Sequence, residues 1–460
     1  MQISEQHTRR SLSQGDVSIF GLVATYVIVL LLLFFAVGGI LPSAGSTTST
    51  LEATSSAAST VSGILFQGLA WSVGCLVMAS SLGSIFRGCL EVKAVTLLTL
   101  LAPVSALWSQ QPLNSVRRGI FLLLATLFAV YLVRTYEALE LAQMLVLTGV
   151  LVGLLAIAVS IWFPSIGRDV RNGGAWQGVF SSKNGCAQYM IFLLSAAICF
   201  RFPRRNMRLL SYALYPIAAV LIIMSRAKTA WILCPLLIAL IGGLSQLRKI
   251  SSKSARLAIF VVVAFAVMVA LGLPPPGAYI LKLLGKESTL SGRVPLWMGV
   301  LTAISKRPLL GYGYDGFWHQ GLQGEVLNIY TITHFEVFQA QSGFLEVWLG
   351  LGLVGLVLML LSLLQASRDA MICFRHGDPS STRWYIGLIV LTVLYNTDES
   401  FLALSNSLPW LLYMVACVGL AQEAKKIRAR AHLLDLDAAS ALELQARLQR
   451  SLIEAKPGVS

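Results

Sequence analysis

Charge is what this sequence has least of. Only 12% of its 460 residues are Asp, Glu, Lys or Arg, about half the share found in an average soluble domain. So few charges cannot cover a globular surface of this size, which excludes a soluble enzyme. Acidic residues are scarcer than basic ones, 21 against 35. Histidine occurs five times, with no HxxxH or HExxH spacing to hold a metal from one helix. The seven cysteines form no CxxC pair, and most lie in apolar stretches; they read as small packing residues. Apolar residues fill the space instead: 56% of the chain is hydrophobic and the mean hydropathy is +0.74. They come in blocks of about twenty, the length that crosses a bilayer core. A β-barrel and a disordered scaffold are excluded with the soluble enzyme.

The blocks predict an all-α, polytopic membrane protein with about twelve transmembrane helices. They lie near Val17–Leu41, Val61–Gly83, Val92–Trp108, Gly119–Val133, Leu141–Phe163, Gly185–Phe200, Leu209–Met224, Thr229–Leu247, Leu257–Leu273, Gly343–Leu364, Trp384–Leu394 and Leu408–Ala421. Val17–Leu41 is too long for the apolar core of a cleavable signal and reads as a first span. The organisation is thus nine helices in residues 1–273, a long loop over 274–342, three helices over 343–421 and a basic, amphipathic tail over 422–460.

A net charge of +14 could mark a nucleic-acid binder. Here the cations sit between apolar blocks, where they set topology, and no nucleic acid is implied. Placing both termini in the cytoplasm leaves about two-thirds of the 35 Lys and Arg on the cytoplasmic side, as the positive-inside rule requires. The exceptions carry the interest. Arg168, Arg171 and Lys183 share one outer connection, Arg226 and Lys228 a tight outer turn, and Arg293 lies in the long loop. Cations kept on the outer membrane face suit an anionic ligand; pairing with lipid headgroups or outer acids is the plainer alternative.

Ser43–Ser62, rich in Ser and Thr with no Lys or Arg, reads as a flexible outer loop. In the long loop, Gly292–Ser305 has apolar residues at helical spacing and is expected to lie along the membrane face, ended by Pro308. Gly311-Tyr-Gly-Tyr-Asp-Gly316 follows as a turn with glycines where positive φ is needed. Asp315, His319, Glu325, His334 and Glu336 are the loop's acids and histidines that could move a proton. In the tail, Leu433–Ile453 reads as a surface helix on anionic lipid, or a solvated or self-associating one. Its Asp435-Leu-Asp437 lies far from the outer cations and is read as a chance match to a metal-binding DxD.

Six pieces in order resemble the O-antigen ligase and Wzy-type polysaccharide polymerase superfamily, in its exopolysaccharide-polymerase branch. They are Ala106-Leu-Trp-Ser-Gln-Gln-Pro112 with Arg117-Arg118; Gly178-Val-Phe-Ser-Ser-Lys-Asn184; Ser225-Arg-Ala-Lys-Thr-Ala-Trp231; Ser291-Gly-Arg-Val-Pro-Leu-Trp297 with Arg307-Pro-Leu-Leu-Gly-Tyr-Gly-Tyr-Asp-Gly-Phe317; Gln341-Ser-Gly-Phe-Leu-Glu-Val-Trp-Leu-Gly-Leu-Gly-Leu-Val-Gly355; and Asn396-Thr-Asp-Glu-Ser400. Two positions depart from the pattern: Ser182 and Gln341 stand where the family has histidines. Gln cannot act as a base at neutral pH, so either His334, Glu336 or Glu399 serves as the catalytic group, or the chain uses no strong base.

The resemblance implies glycan transfer from an undecaprenyl-diphosphate-linked donor to a sugar hydroxyl, in the bacterial inner membrane with the long loop periplasmic. It brings membrane lipid, a chain-length regulator and export proteins as candidate partners, and no cofactor. Arg171, Lys183, Asn184, Arg226, Lys228, Arg293 and Gln341 are the expected contacts to diphosphate and sugar. Fixed cations would stabilise the leaving diphosphate without a metal. Trp176, Trp318 and Tyr312 could stack on sugar rings, or anchor at the membrane interface. A ligase, and a transporter or flippase of lipid-linked sugars, remain the alternatives. A transporter should show repeated halves and mid-span charges, and neither is found.

Overall fold

The computed structural model describes residues 19–36, 55–247, 293–320, 323–333, 337–397 and 399–454. These residues are helical almost throughout. The helices are α1 (Ile19–Ala36), α2 (Ser55–Ala79), α3 (Leu82–Glu91), α4 (Lys93–Val104), α5 (Pro112–Thr135), α6 (Ala138–Trp162), α7 (Lys183–Cys199), α8 (Arg205–Met224) and α9 (Lys228–Leu247). After them come α10 (Arg293–Lys306), α11 (Gly324–Thr333), α12 (Gly343–His376), α13 (Pro379–Tyr395) and α14 (Leu408–Glu454). Two-residue strands β1 (Arg168–Asp169) and β2 (Ala175–Trp176) form a small antiparallel hairpin between α6 and α7.

The helices start where local chemistry satisfies their orphan N–H groups. Glu137 and Glu140 form a reciprocal capping box ahead of α6, and Asp378 accepts from Ser381 N at the head of α13. Ser182 accepts from Gly185 N and caps α7. One of the two family histidines is thus replaced by a residue that begins a helix well.

Among the described residues, five helices are long and apolar enough to cross a membrane, or six if the bent pair α2–α3 counts as one span. Two reasons account for part of the difference from the expected count. α7 and α13 are only 17 residues long, and protein rather than lipid surrounds nearly all of their side chains. A helix enclosed by others does not have to match the bilayer thickness by itself. The span expected at Leu257–Leu273 lies outside the described residues.

Near the N-terminus the structure departs further from the sequence reading. The chain bends by 95° between Gln67–Ala79 and Leu82–Glu91, so α3 is a separate short helix. The block at Val92–Trp108 becomes the 12-residue α4 with a 3-10 turn behind it. Helix α2 is described from Ser55 on, inside the stretch expected to be a loop, and residues 37–54 are not among those described. The tail helix is no separate element: α14 runs for 47 residues, buried through Ala421 and increasingly exposed beyond it.

Contacts far apart in sequence define two ends of the bundle. At one end Glu91 pairs with Arg134 at 3.2 Å and Lys425 at 2.7 Å, and Asp369 with Arg428 at 2.7 Å. At the other, Trp108 Nε1 donates to Leu310 O at 2.8 Å, Tyr314 N to Ser105 Oγ at 2.8 Å, and Tyr314 Oη to Ala403 O at 2.6 Å. A second, smaller core sits at this latter end, built from Leu296, Val300 and Ile304 of α10, Val326 and Ile329 of α11, and Tyr312, Phe317 and Trp318 between them. The helix expected at Gly292–Ser305 is therefore present as α10. The face it buries packs on protein, while Met298 and Leu301 stay exposed. All seven cysteines are free, five of them buried.

Candidate functional site

The turn between α8 and α9 holds Arg226 in the left-handed region, φ +53°. That conformation is uncommon for a non-glycine residue and usually marks a constrained position. Its Nη1 donates to the carbonyl of Gly173 at 3.1 Å, so the turn is tied to the β1–β2 hairpin just ahead of α7. Lys183 is the first residue of α7 and Lys228 the first of α9. Among the described residues neither makes an ion pair. Arg293, the first described residue of α10, donates through Nε to Gln341 Oε1 at 3.1 Å. Gln341 itself has φ +49°.

Asn184, next to Lys183, donates to Glu399 Oε1 at 2.8 Å, and Gln339 donates to Glu399 Oε2 at 3.0 Å. Ser342 N donates to Ser400 Oγ at 3.1 Å. Asn396 organises this corner from beneath. Its Oδ1 accepts from Phe401 N at 2.7 Å and Leu402 N at 2.8 Å, and its Nδ2 donates to Thr392 O. Fully buried, Asn396 shapes the turn that presents Glu399 and Ser400. One turn deeper along α7 than Asn184, Gln188 is buried, and neither of its amide atoms has a hydrogen-bond partner among the described residues.

The expected site residues are thus largely assembled at one end of the bundle. Asn184, Glu399, Gln339, Gln341 and Arg293 form a nearly continuous run of contacts. Arg226 and Lys228 are brought beside the hairpin. Arg171 lies in the single 3-10 turn Val170–Asn172 of that hairpin loop, and its side chain is not among those described. His334 and Glu336 lie outside the described residues.

Several other outer cations are paired within the protein. Arg118 pairs with Asp315 at 2.8 Å, and Lys306 with Glu325 at 2.5 Å. Arg168 donates to Ser160 O and lies over Trp176, and Arg307 lies over Tyr312. The Lys306 hydrogen bond holds the Glu325 carboxyl below its usual range. Two of the aromatics expected to stack on sugars do not face solvent. Tyr312 and Trp318 are buried in the small core, where Tyr312 Oη donates to Ala303 O and Trp318 Nε1 to Glu346 Oε1. Burial pushes the Tyr312 and Tyr314 hydroxyls up, which keeps both as donors.

Glu346 was not among the expected site residues. Its second oxygen accepts from Ala340 N at 2.6 Å, so it clamps the segment carrying Gln339 and Gln341 onto the start of α12. Its signal in the sequence is one acid in the first turn of an otherwise apolar helix, where a carboxylate is favoured.

Residues 212–360 match the sequence family described as O-antigen ligase. That stretch carries Arg226, Lys228, Arg293, Gln341 and the 311–317 turn. The chain is also 26% identical, over 316 residues, to the exopolysaccharide production protein ExoQ of Rhizobium meliloti (strain 1021), an alignment covering 64% of this chain and 72% of that protein. Both likenesses point to the O-antigen ligase/polymerase family. The chain joins elements distant in sequence at one end of its bundle. The 105–118 segment grips the 310–315 turn, and the 396–407 segment grips both that turn and the start of α12.

Proposed function

We propose that this protein is an exopolysaccharide polymerase, moving a glycan from a lipid-diphosphate donor to a sugar hydroxyl at the outer face of the bacterial inner membrane. The observation that carries this reading is where the cations stand. Lys183 and Lys228 each open a helix, and Arg293 is held at Gln341 on the same end of the bundle. The partial positive charge at a helix start disfavours a cation there and favours an anion. Two such placements at one end of the bundle, joined by Arg293 and by Arg226 held in a left-handed turn, suit a ligand carrying several negative charges.

A lipid diphosphate meets that requirement. As the bond from the anomeric carbon to the diphosphate oxygen breaks, negative charge grows on the leaving group, and preorganised cations stabilise it. Arg226 supplies the fork geometry that matches phosphate, and Lys183 and Lys228 act as point charges. Glu399, held by Asn184 and Gln339, places a carboxylate to balance the positive charge that gathers on the sugar ring. Gln341 positions Arg293 in place of acting as a base.

The likeness to a protein named for exopolysaccharide production supports the exopolysaccharide part of this reading. The test is the lipid-linked species that accumulates when the gene is deleted. Single repeat units on the outer face support the polymerase. Finished polymer still on lipid would make the protein a ligase, and units trapped on the inner face would make it a flippase.

A further inference from the structure

Beside the cation cluster lies a cavity of about 300 Å3, at the small end of the range for small-molecule sites. Among the described residues its polar wall includes Arg118, Asp315, His319, Gln339, Glu346 and Ser400. Phe338, 74% exposed, is at its edge. The wall mixes hydrogen-bond donors and acceptors of both charge signs, and Arg118 is already neutralised by Asp315 at 2.8 Å. This suits a neutral, hydroxyl-rich ligand better than an anion. An exposed aromatic at the rim offers a face for a sugar's C–H surface. Gln339 belongs both to this wall and to the Glu399 contact, so the cavity opens next to the proposed reacting centre.

His319 is the notable side chain in this wall. Its Nδ1 is 3.2 Å from the carbonyl oxygen of Asp315 and 3.7 Å from that residue's carboxylate. A carbonyl only accepts, so Nδ1 is the donor in this contact, and in the neutral ring Nε2 is then the acceptor. Asp315 is itself fixed, with φ +53° and hydrogen bonds from Asn114 to both its carbonyl and its carboxylate. A buttressed imidazole beside a polar cavity is the arrangement expected of a proton acceptor.

Resting on the transfer reading above, we infer that this cavity is the acceptor-sugar subsite and that His319 takes the acceptor's proton. The acceptor hydroxyl oxygen bonds to the anomeric carbon as the carbon–diphosphate bond breaks. The bonding pair leaves with the diphosphate, and the hydroxyl proton moves to His319 Nε2. Asp315 is a positioning residue that holds the ring.

The test uses the full-length protein in lipid nanodiscs. The probe is a set of fluorescent oligosaccharides made by partial acid hydrolysis of the polymer its own host produces. Probe binding and transfer from the lipid-linked repeat unit are measured in parallel. The wild type should bind the probe. Phe338→Ala and Leu404→Trp, which remove the rim aromatic and fill the cavity, should weaken binding about tenfold. His319→Gln should bind normally but slow transfer about a hundredfold. Asp315→Asn should lower kcat with the acceptor KM unchanged. No probe binding, or wild-type binding in both cavity variants, would overturn the subsite. Wild-type transfer by His319→Gln would overturn the proton role. If the wild type binds the probe but transfers nothing, the sugar site stands, and the transferase reading falls together with the proton role.

Discussion

Arg226 concentrates the residue-scale evidence. Its backbone is strained, its guanidinium touches one carbonyl, and its turn joins two helices to the hairpin before α7. Replacing it with alanine should remove a charge-stabilising contact of about 3 kcal/mol, a rate loss of a hundredfold or more. Arg226→Lys should also be poor, since the point charge loses the fork. Both variants should reach the membrane at normal levels, because the side chain packs no core. Polymer yield at matched membrane amounts decides, and full activity in Arg226→Ala would remove the central idea. Side-chain chemistry of this kind was legible in the sequence because a cation on the outer face is out of place by the topology rule. Which cations were bound by protein could not be read there. Arg118 and Asp315, or Asn184 and Glu399, are about two hundred residues apart, and only the fold shows that they meet.

At the scale of elements, α12 shows how the long loop is fixed to the bundle. Gly352 interrupts the helix with φ +69° and ψ −170°. Leu353 N and Val354 N turn to the carbonyls of Pro308 and Leu309, while Tyr312 N takes that of Leu349. A Cβ on Gly352 would lie 2.1 Å from Leu309 O. Gly352→Ala should therefore cost about 2–4 kcal/mol, read as a lower melting temperature in detergent, and should loosen the 308–312 turn. A melting temperature equal to the wild type would mean the break is adaptable. The sequence showed a Gly-rich turn and a Gly-rich span, and Gly311 and Gly313 do have positive φ. It did not show that one is bonded into the other. The bend after Ala79 was also hidden, because an apolar run has the same composition whether it crosses a membrane or folds back.

The whole molecule is polarised. One end is laced by Glu91, Asp369 and their basic partners, and the other carries the proposed site. If the site end faces outward, a membrane-impermeant thiol reagent on intact spheroplasts should label Leu309→Cys and spare Asn206→Cys in a cysteine-free background. The reverse pattern would invert the topology. Because the outer cations stand to do the electrostatic work, polymerisation in vitro should survive EDTA. Complete loss, restored by magnesium or manganese, would bring a metal into the chemistry.

The helix-opening cations have a further consequence, readable in a melting curve without any substrate. Lys183 works against its own helix dipole, at roughly 0.3–1 kcal/mol, so the empty protein carries a built-in instability at the spot where it is to bind. Lys183→Gln should melt at a higher temperature than the wild type while making less polymer. A variant that loses both heat resistance and polymer would show that Lys183 is there for packing. A tougher but idler protein would show stability given up for function.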